Sequence, residues 1–249
     1  MGLISQEVFV CVDCETTGLD TTKDRIIEIA AVKFTFNGII DSKETLVNPE
    51  MTIPAESITI HNIAQEMVEG KPKIAEVLPE FLKFIGRHII VGHGIPFDIA
   101  IITKEAERSQ IPCKIGRNPF VDTLRLARLY GESPVNSLEI LRRHFNIEEQ
   151  NAHRAMSDVQ VNIEVFKKLS QKFKTTKELL SRLEKPILLK NMPLGQHKGR
   201  LFKEIPLQYL LWAAGKNFDQ DLLYSIRREI KQRKNENGFN RSSNPFSTL

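Results

Sequence analysis

Val8-Phe9-Val10-Cys11-Val12-Asp13-Cys14-Glu15-Thr16-Thr17-Gly18 is the stretch that decides the fold. Five apolar residues in an unbroken row are the signature of a strand covered on both faces. Side chains alternate along a strand, so Asp13 and Glu15, two apart, share a face at its carboxyl end. Thr16-Thr17-Gly18 then turns the chain and leaves backbone N–H groups open toward an anionic or hydroxyl-bearing ligand. Two acids at a strand end are also what a capped, solvent-facing strand terminus would carry, and the motif alone does not choose between these readings.

Working outward, Ile26 to Phe36 and Ile39 to Val47 read as two further strands. The Asn37-Gly38 pair between them is a strong short hairpin signal. The chain therefore opens as a three-stranded antiparallel meander. Ile74, Val77, Leu78, Phe81, Leu82 and Ile85 then repeat at helical spacing, followed by a short buried strand at Ile89-Ile90-Val91. Helices are expected over Ile99–Ala106, Thr123–Leu129, Ser137–Phe145 and Ala155–Leu169, with a strand at Phe120-Val121. A meander followed by alternating helices and strands is a mixed α/β sheet with helices on its faces.

The chain has 249 residues, 41% of them hydrophobic, which suffices for one large domain and a smaller one. No run of 18 apolar residues occurs, so no spanning helix and no membrane association are expected. The N-terminus has neither a basic n-region nor a small-residue cleavage site, and no signal peptide is expected. Three cysteines, Cys11, Cys14 and Cys113, are an odd count that suits free thiols in a reducing cytoplasm. Cys11 and Cys14 have CxxC spacing, but on a strand they point to opposite faces and no second Cys/His pair follows, so they are read as core thiols.

Charge is uneven. Residues 1–166 carry 17 Lys and Arg against 24 Asp and Glu, whereas residues 167–249 carry 18 against 7. The first part has a net charge of −7 and the second of +11. An acidic part joined to a basic one suits a polyanion-holding tail, and equally a solvated tail.

Two further stretches resemble the first in kind. His93-Gly94-Ile95-Pro96-Phe97-Asp98 places an acid at the start of an apolar helix, where acids also serve as caps. His153-Arg154-Ala155-Met156-Ser157-Asp158 places a histidine on a loop and an acid on the first turns of the next helix. Carboxylates that converge from rigid elements suit hard divalent cations, and two such cations roughly 4 Å apart are a common device for phosphodiester cleavage. Histidine is the usual general base near neutral pH.

Together the three stretches resemble the three exonuclease motifs of the DEDD superfamily, in the branch with histidine in the third motif. The resemblance covers roughly residues 5–170 and extends to Asn48-Pro49, Ile60-His61-Asn62-Ile63 and Asn136-Ser137-Leu138, which are similar to strings in epsilon-type proofreading subunits of bacterial DNA polymerases. It implies a ribonuclease H-like α/β fold and 3′→5′ exonucleolytic hydrolysis of single-stranded DNA ends to nucleoside 5′-monophosphates. By the same resemblance Asp13, Glu15, Asp98 and Asp158 hold two Mg²⁺ or Mn²⁺ ions and His153 is the general base. Thr16 and Gly18 belong to the substrate-facing turn, Glu56 and His61 lie beside the terminal nucleotide, and Phe97 packs near the site. A DNA polymerase catalytic subunit is the implied partner. An exoribonuclease of RNase T or oligoribonuclease type and a non-catalytic nucleic-acid-binding scaffold are the alternatives. All four acids and His153 are present, whereas a scaffold would be expected to have lost some. The second motif departs from the family's usual His-Asn-x-x-Phe-Asp: Gly94 replaces the Asn.

The expected organisation is an exonuclease domain at 5–172, a basic linker at 173–190, a small C-terminal module at 191–232 and a disordered tail at 233–249. Met192–Arg200 looks like the start of a small domain sometimes appended to such exonucleases. Trp212 is expected in the core of that module, with stacking on nucleic acid as the other reading for Tyr209 and Trp212. Gln220-Asp221-Leu222-Leu223-Tyr224 faintly resembles a sliding-clamp-binding peptide, but Leu222 and Leu223 are expected to be core.

Overall fold

The computed structural model describes residues 2–130, 136–148 and 154–242, the last seven as backbone. The chain divides into two compact units, one formed by Met1–Ala127 with Ser137–Arg182, the other by Arg128–Asn136 with Leu183–Leu249.

The first unit is built on a five-stranded sheet of order β3-β2-β1-β4-β5. The strands are β1 (Phe9–Thr16), β2 (Ile26–Thr35), β3 (Gly38–Leu46), β4 (Ile89–Gly92) and β5 (Phe120–Asp122). The first three pair antiparallel, and β4 and β5 join parallel to β1 and to each other. The hairpin lies where Asn37-Gly38 placed it, but its turn is centred on Phe36-Asn37, with Gly38 already paired to Thr35. Strand β1 runs beyond its apolar core as far as Thr16, because β2 stays paired with it through Glu15↔Glu28.

Helices α1 (Ala55–His61), α2 (Gln65–Val68), α3 (Ile74–Ile85), α4 (Pro96–Arg108), α5 (Thr123–Arg128), α6 (Leu138–His144) and α7 (Ala155–Ser170) follow the meander. Alternation along β1 separates two cores. Val10, Val12 and Cys14 belong to the cluster containing Leu78, Phe81 and Ile85 of α3 and Ile101 and Ile102 of α4. On the other face Phe9 meets Phe166 of α7 edge-on, 4.9 Å between centroids, and the Cys11 thiol donates to the Val159 carbonyl. Cys11 and Cys14 thus occupy opposite faces as free buried thiols, and no CxxC chemistry is available to them. Asp13 and Glu15, in register with Phe9 and Cys11, fall on the α7 face.

Helix α8 (Thr176–Glu184) occupies much of the stretch expected to be a linker. A bridge between Leu3 and Thr175 and the Ile4 N–H donating to the Lys174 carbonyl, 3.0 Å, join its start to the N-terminal segment of the first unit. In the second unit, α9 (Leu207–Ala213) and α10 (Gln220–Ser242) enclose a core of Met192, Phe202, Ile205, Leu210, Ala213, Leu222, Ile226 and Ile230. Helix α10 continues into the stretch expected to be a disordered tail. Leu222 is fully buried, as expected, while Leu223 is only partly so. No helix among the described residues is long and apolar enough to cross a membrane.

Candidate active site

The site forms at the carboxyl end of β1. Asp13 and Glu15 project from its α7 face, and α7 brings Asp158 to meet them. Ligand-capable carboxylate oxygens of the three residues lie within 4.8 Å of one another. The fourth acid reaches the same strand by another route. The β1–β4 ladder ends at Cys11↔Val91, which leaves the far half of that edge of β1 without a strand partner. Asp98, in the first turn of α4, takes the vacant position: its Oδ1 accepts from the Cys14 N–H at 3.0 Å. Asp98 is 5% exposed. It is therefore fixed between the two β1 acids, although its oxygens are not part of the three-residue cluster.

Burial and mutual repulsion raise the affinity of these carboxyls for protons. Glu15 is pushed up to about 7, first by burial and then by Asp158 and Glu28, against a lowering by Arg154. Asp98 is pushed up to about 8, chiefly by burial, with the Cys14 N–H opposing. Asp13 lies well above the usual carboxylate range because of burial and the charges of Asp98, Glu15, Asp158 and Glu28. Packed acids with this much uncompensated charge are a fitting donor set for a divalent cation. The donors are all oxygen, from rigid elements, and a cation would relieve the repulsion that now favours protonation.

The remaining expected residues are placed as follows. Thr16 donates to the Gly18 carbonyl at 2.7 Å, so its hydroxyl closes the turn. A Cβ on Gly18 would lie 2.5–2.8 Å from the Asp24 carboxylate, so a side chain there would displace that carboxylate. Asp24 in turn accepts from the Thr17 hydroxyl at 3.0 Å. Ser57 of α1 donates to the Thr17 carbonyl at 2.7 Å, tying α1 to this turn. Glu56, beside it, is exposed. His61 is buried; its Nδ1 accepts from the Ile63 N–H at 3.0 Å, its Nε2 has no hydrogen-bond partner among the described residues, and burial lowers its pKa. Phe97 packs against the α3/α4 core. His153 lies outside the described residues.

Gly94 has φ +74°, open space around a built Cβ, and an N–H that donates to Asp122 Oδ1 at 2.9 Å. Asn is the non-glycine residue that best tolerates this left-handed conformation. Either residue can therefore hold this backbone conformation.

Several residues of the site carried no assignment from sequence. Glu28 of β2 is buried and accepts from Arg154 Nε at 3.0 and 3.1 Å, from Arg154 Nη2, and from the Ala155 N–H at 2.9 Å. It thus anchors the start of α7, the helix that carries Asp158. The legible signal was a lone charge in the apolar run Ile26-Ile27-Glu28-Ile29-Ala30-Ala31-Val32. Thr123 lies within hydrogen-bond distance of His93 Nδ1 at 3.0 Å and donates to Asn162 Oδ1 at 2.6 Å, which joins β4, α5 and α7; no local pattern announced it.

A sheet of this order with a cluster of carboxylates at its central strand defines a nuclease-type domain built to hold a divalent cation. A family model described as "Exonuclease", that of RNase T, matches residues 10–166, and the chain belongs to this DEDD exonuclease family. It is 38% identical over 162 residues to the DNA polymerase III subunit epsilon of Aquifex aeolicus, covering 65% of this chain and 79% of that one. It is 38% identical over 167 residues to the PolC-type DNA polymerase III of Clostridium perfringens, covering 67% of this chain but only 11% of that one. The chain thus spans a small fraction of its PolC-type relatives. Among solved structures, exonuclease X in complex with 5′-overhanging duplex DNA is similar with a TM-score of 0.57 and 24% identity, covering 71% of this chain and 99% of that one. E. coli exonuclease I in complex with a dA16 oligonucleotide gives 0.60 and 23%, covering 71% and 43%. These likenesses establish the ribonuclease H-like α/β exonuclease fold. A second family model, described as a putative quorum-sensing-regulated virulence factor, matches residues 180–232.

Proposed function

We propose that the chain hydrolyses single-stranded DNA from its 3′ end and releases nucleoside 5′-monophosphates, in proofreading or repair. The observation that carries this reading is the convergence of Asp13, Glu15 and Asp158, with Asp98 fixed against the same strand. The four acids are assigned as the holders of two Mg²⁺ or Mn²⁺ ions. When bound, such ions supply Lewis-acid activation of the attacking water and charge neutralisation at the scissile phosphate and the departing 3′-oxygen.

The chain's own groups do the rest. His153, one residue before the Arg154 that Glu28 holds, accepts the proton of the attacking water. The turn at Thr16–Gly18 borders the terminal nucleotide, its Thr17 N–H being taken by the Arg25 carbonyl at 2.9 Å. Glu56 and His61 border that nucleotide. Phe97 supports the floor of the site from the core side. Similarity to the epsilon subunit and to PolC-type polymerases supports a polymerase catalytic subunit as partner, and a cytoplasmic location follows from that role. The organisation proposed remains an exonuclease domain followed by a basic accessory part.

The test is hydrolysis of matched 5′-labelled DNA and RNA oligomers by the full chain with Mg²⁺ or Mn²⁺. Preferential shortening of DNA supports the reading, whereas preferential shortening of RNA would replace it with an exoribonuclease.

A further inference from the structure

The second unit carries exposed apolar side chains on one face of α9. Helix α9 turns Leu210 and Ala213 into the core, which leaves Leu211 and Trp212 on the opposite face, 43% and 54% exposed. The only tryptophan of the chain is thus outside the core in which the sequence placed it. It does not stand alone. Tyr209 lies beside it with ring centroids 5.2 Å apart, and His197 meets Tyr209 edge-on at 4.5 Å. Lys216 places its Nζ 4.8 Å from the Trp212 ring centroid.

The loop that brings His197 to this pair is held at both ends. Its ends are pinned by Met192 N–H donating to the Arg200 carbonyl and Gly199 N–H donating to the Met192 carbonyl, each at 2.8 Å. Gly195, with φ +74°, has the Tyr209 hydroxyl 3.0 Å from where a Cβ would stand. A side chain there would push the tyrosine away.

The segments that carry these rings are predominantly basic. Lys198 and Arg200 on the loop, Lys203 after it and Lys216 after α9 are all exposed. The acids on the same segments are Glu204 and Asp219, and Asp219 is engaged by Arg128 at 3.0 and 3.2 Å. An exposed tryptophan beside a half-buried tyrosine, on segments rich in cations, matches the two parts of a single-stranded nucleic acid, its base faces and its phosphates.

We propose that Tyr209 and Trp212, with Lys198, Arg200 and Lys216, form a stacking site for one or two bases of single-stranded nucleic acid. It acts as a second hold on the strand whose end is hydrolysed. The role in hydrolysis rests on the exonuclease reading above; the binding itself does not.

Because Trp212 is the sole tryptophan, its fluorescence reports the site directly. The full chain in EDTA, where hydrolysis is not expected, is titrated with a 16-residue oligothymidylate. Stacking quenches Trp212. Read by the anisotropy of a dye-labelled oligothymidylate, which needs no tryptophan, Trp212→Ala weakens binding about 5- to 150-fold, the range for one lost base stack. Trp212→Phe, which keeps a ring, restores most of that loss. Replacing Lys198 and Arg200 together with Gln makes the slope of log affinity against log salt shallower by about 1.4, the value for two single-strand phosphate contacts. Unchanged Trp212 fluorescence at saturating oligonucleotide overturns the proposal and leaves a protein partner as the better occupant. Hydrolysis by the parent chain with Mg²⁺ or Mn²⁺ separates the two readings. Quenching without hydrolysis removes the exonuclease reading and keeps this surface; hydrolysis without quenching does the reverse.

Discussion

Replacing Glu28 with Gln tests whether α7, and with it Asp158, is held in place by one buried carboxylate. The Glu28 side chain is 3% exposed and that of Arg154 35%. The carboxylate accepts from Arg154 Nε and Nη2 and from the Ala155 N–H that opens α7. Gln offers one oxygen to these donors and turns an NH₂ toward the rest. A hydrogen bond to a charged group contributes about 1.5–3 kcal/mol, and loss of a helix cap costs about 1 kcal/mol. Arg154 regains part of its hydration, and removing the Glu28 charge eases the repulsion felt by Asp13 and Glu15. The expected net cost is therefore about 2–3 kcal/mol, or a midpoint shift of roughly 1 M in urea. The assay is urea unfolding of parent, Glu28→Gln, Arg154→Ala and the double variant. Its coupling energy isolates the pair. Parallel metal titration should show weaker binding in Glu28→Gln, because Asp158 sits one turn beyond the anchored residue. A Glu28→Gln protein with the parent's midpoint and metal affinity would refute the anchoring argument.

Asp13→Asn and Asp158→Asn should each abolish hydrolysis while circular dichroism stays that of the parent. A variant lacking either charge that still works near the parent rate would remove that residue from the site. His153→Ala should slow hydrolysis about 10²–10⁴-fold with metal affinity retained; lost affinity in calorimetry would reassign it as a ligand. Glu15 and Asp98 hold protons in the folded, metal-free chain up to about 7 and about 8, whereas in the unfolded chain they release them near 4. Folded stability without metal should therefore fall as pH rises from about 4.5 to 8. A divalent cation replaces those protons, so the rise in melting temperature on adding Mg²⁺ or Mn²⁺ should be larger at pH 8 than at pH 5.5. Equal rises at both would contradict the raised proton affinities.

The sheet was legible because its signals are local. The apolar run before Asp13 and the Asn37-Gly38 turn specify the meander, and helical spacing marks α3, α4 and α7. Helices α1 and α2 escaped because they are seven and four residues long, too short to show a period, and Ile60 of α1 faces outward. The linker expected over 173–190 lacks turn residues in its middle, and Thr176–Glu184 is accordingly helical. Since the first unit extends to Arg182, a truncation that tests the basic part belongs there. In the site, Asp13 and Glu15 were legible from strand alternation. The Asp98 bond to Cys14 spans 84 residues and the Glu28 bond to Arg154 spans 126, separations at which no local pattern operates. Trp212 was misplaced because an aromatic in an amphipathic stretch reads as core until the helix phase is known.

A 3′→5′ exonuclease begins hydrolysis at the 3′-terminal nucleotide. A single-stranded DNA oligomer labelled at its 3′-terminal nucleotide, given to the full chain with Mg²⁺ or Mn²⁺, should release the label first, as a nucleoside 5′-monophosphate. Asp13→Asn and EDTA should each stop the release. Label released only as longer fragments, or as a 3′-phosphate, or released equally fast by Asp13→Asn, would contradict that reading.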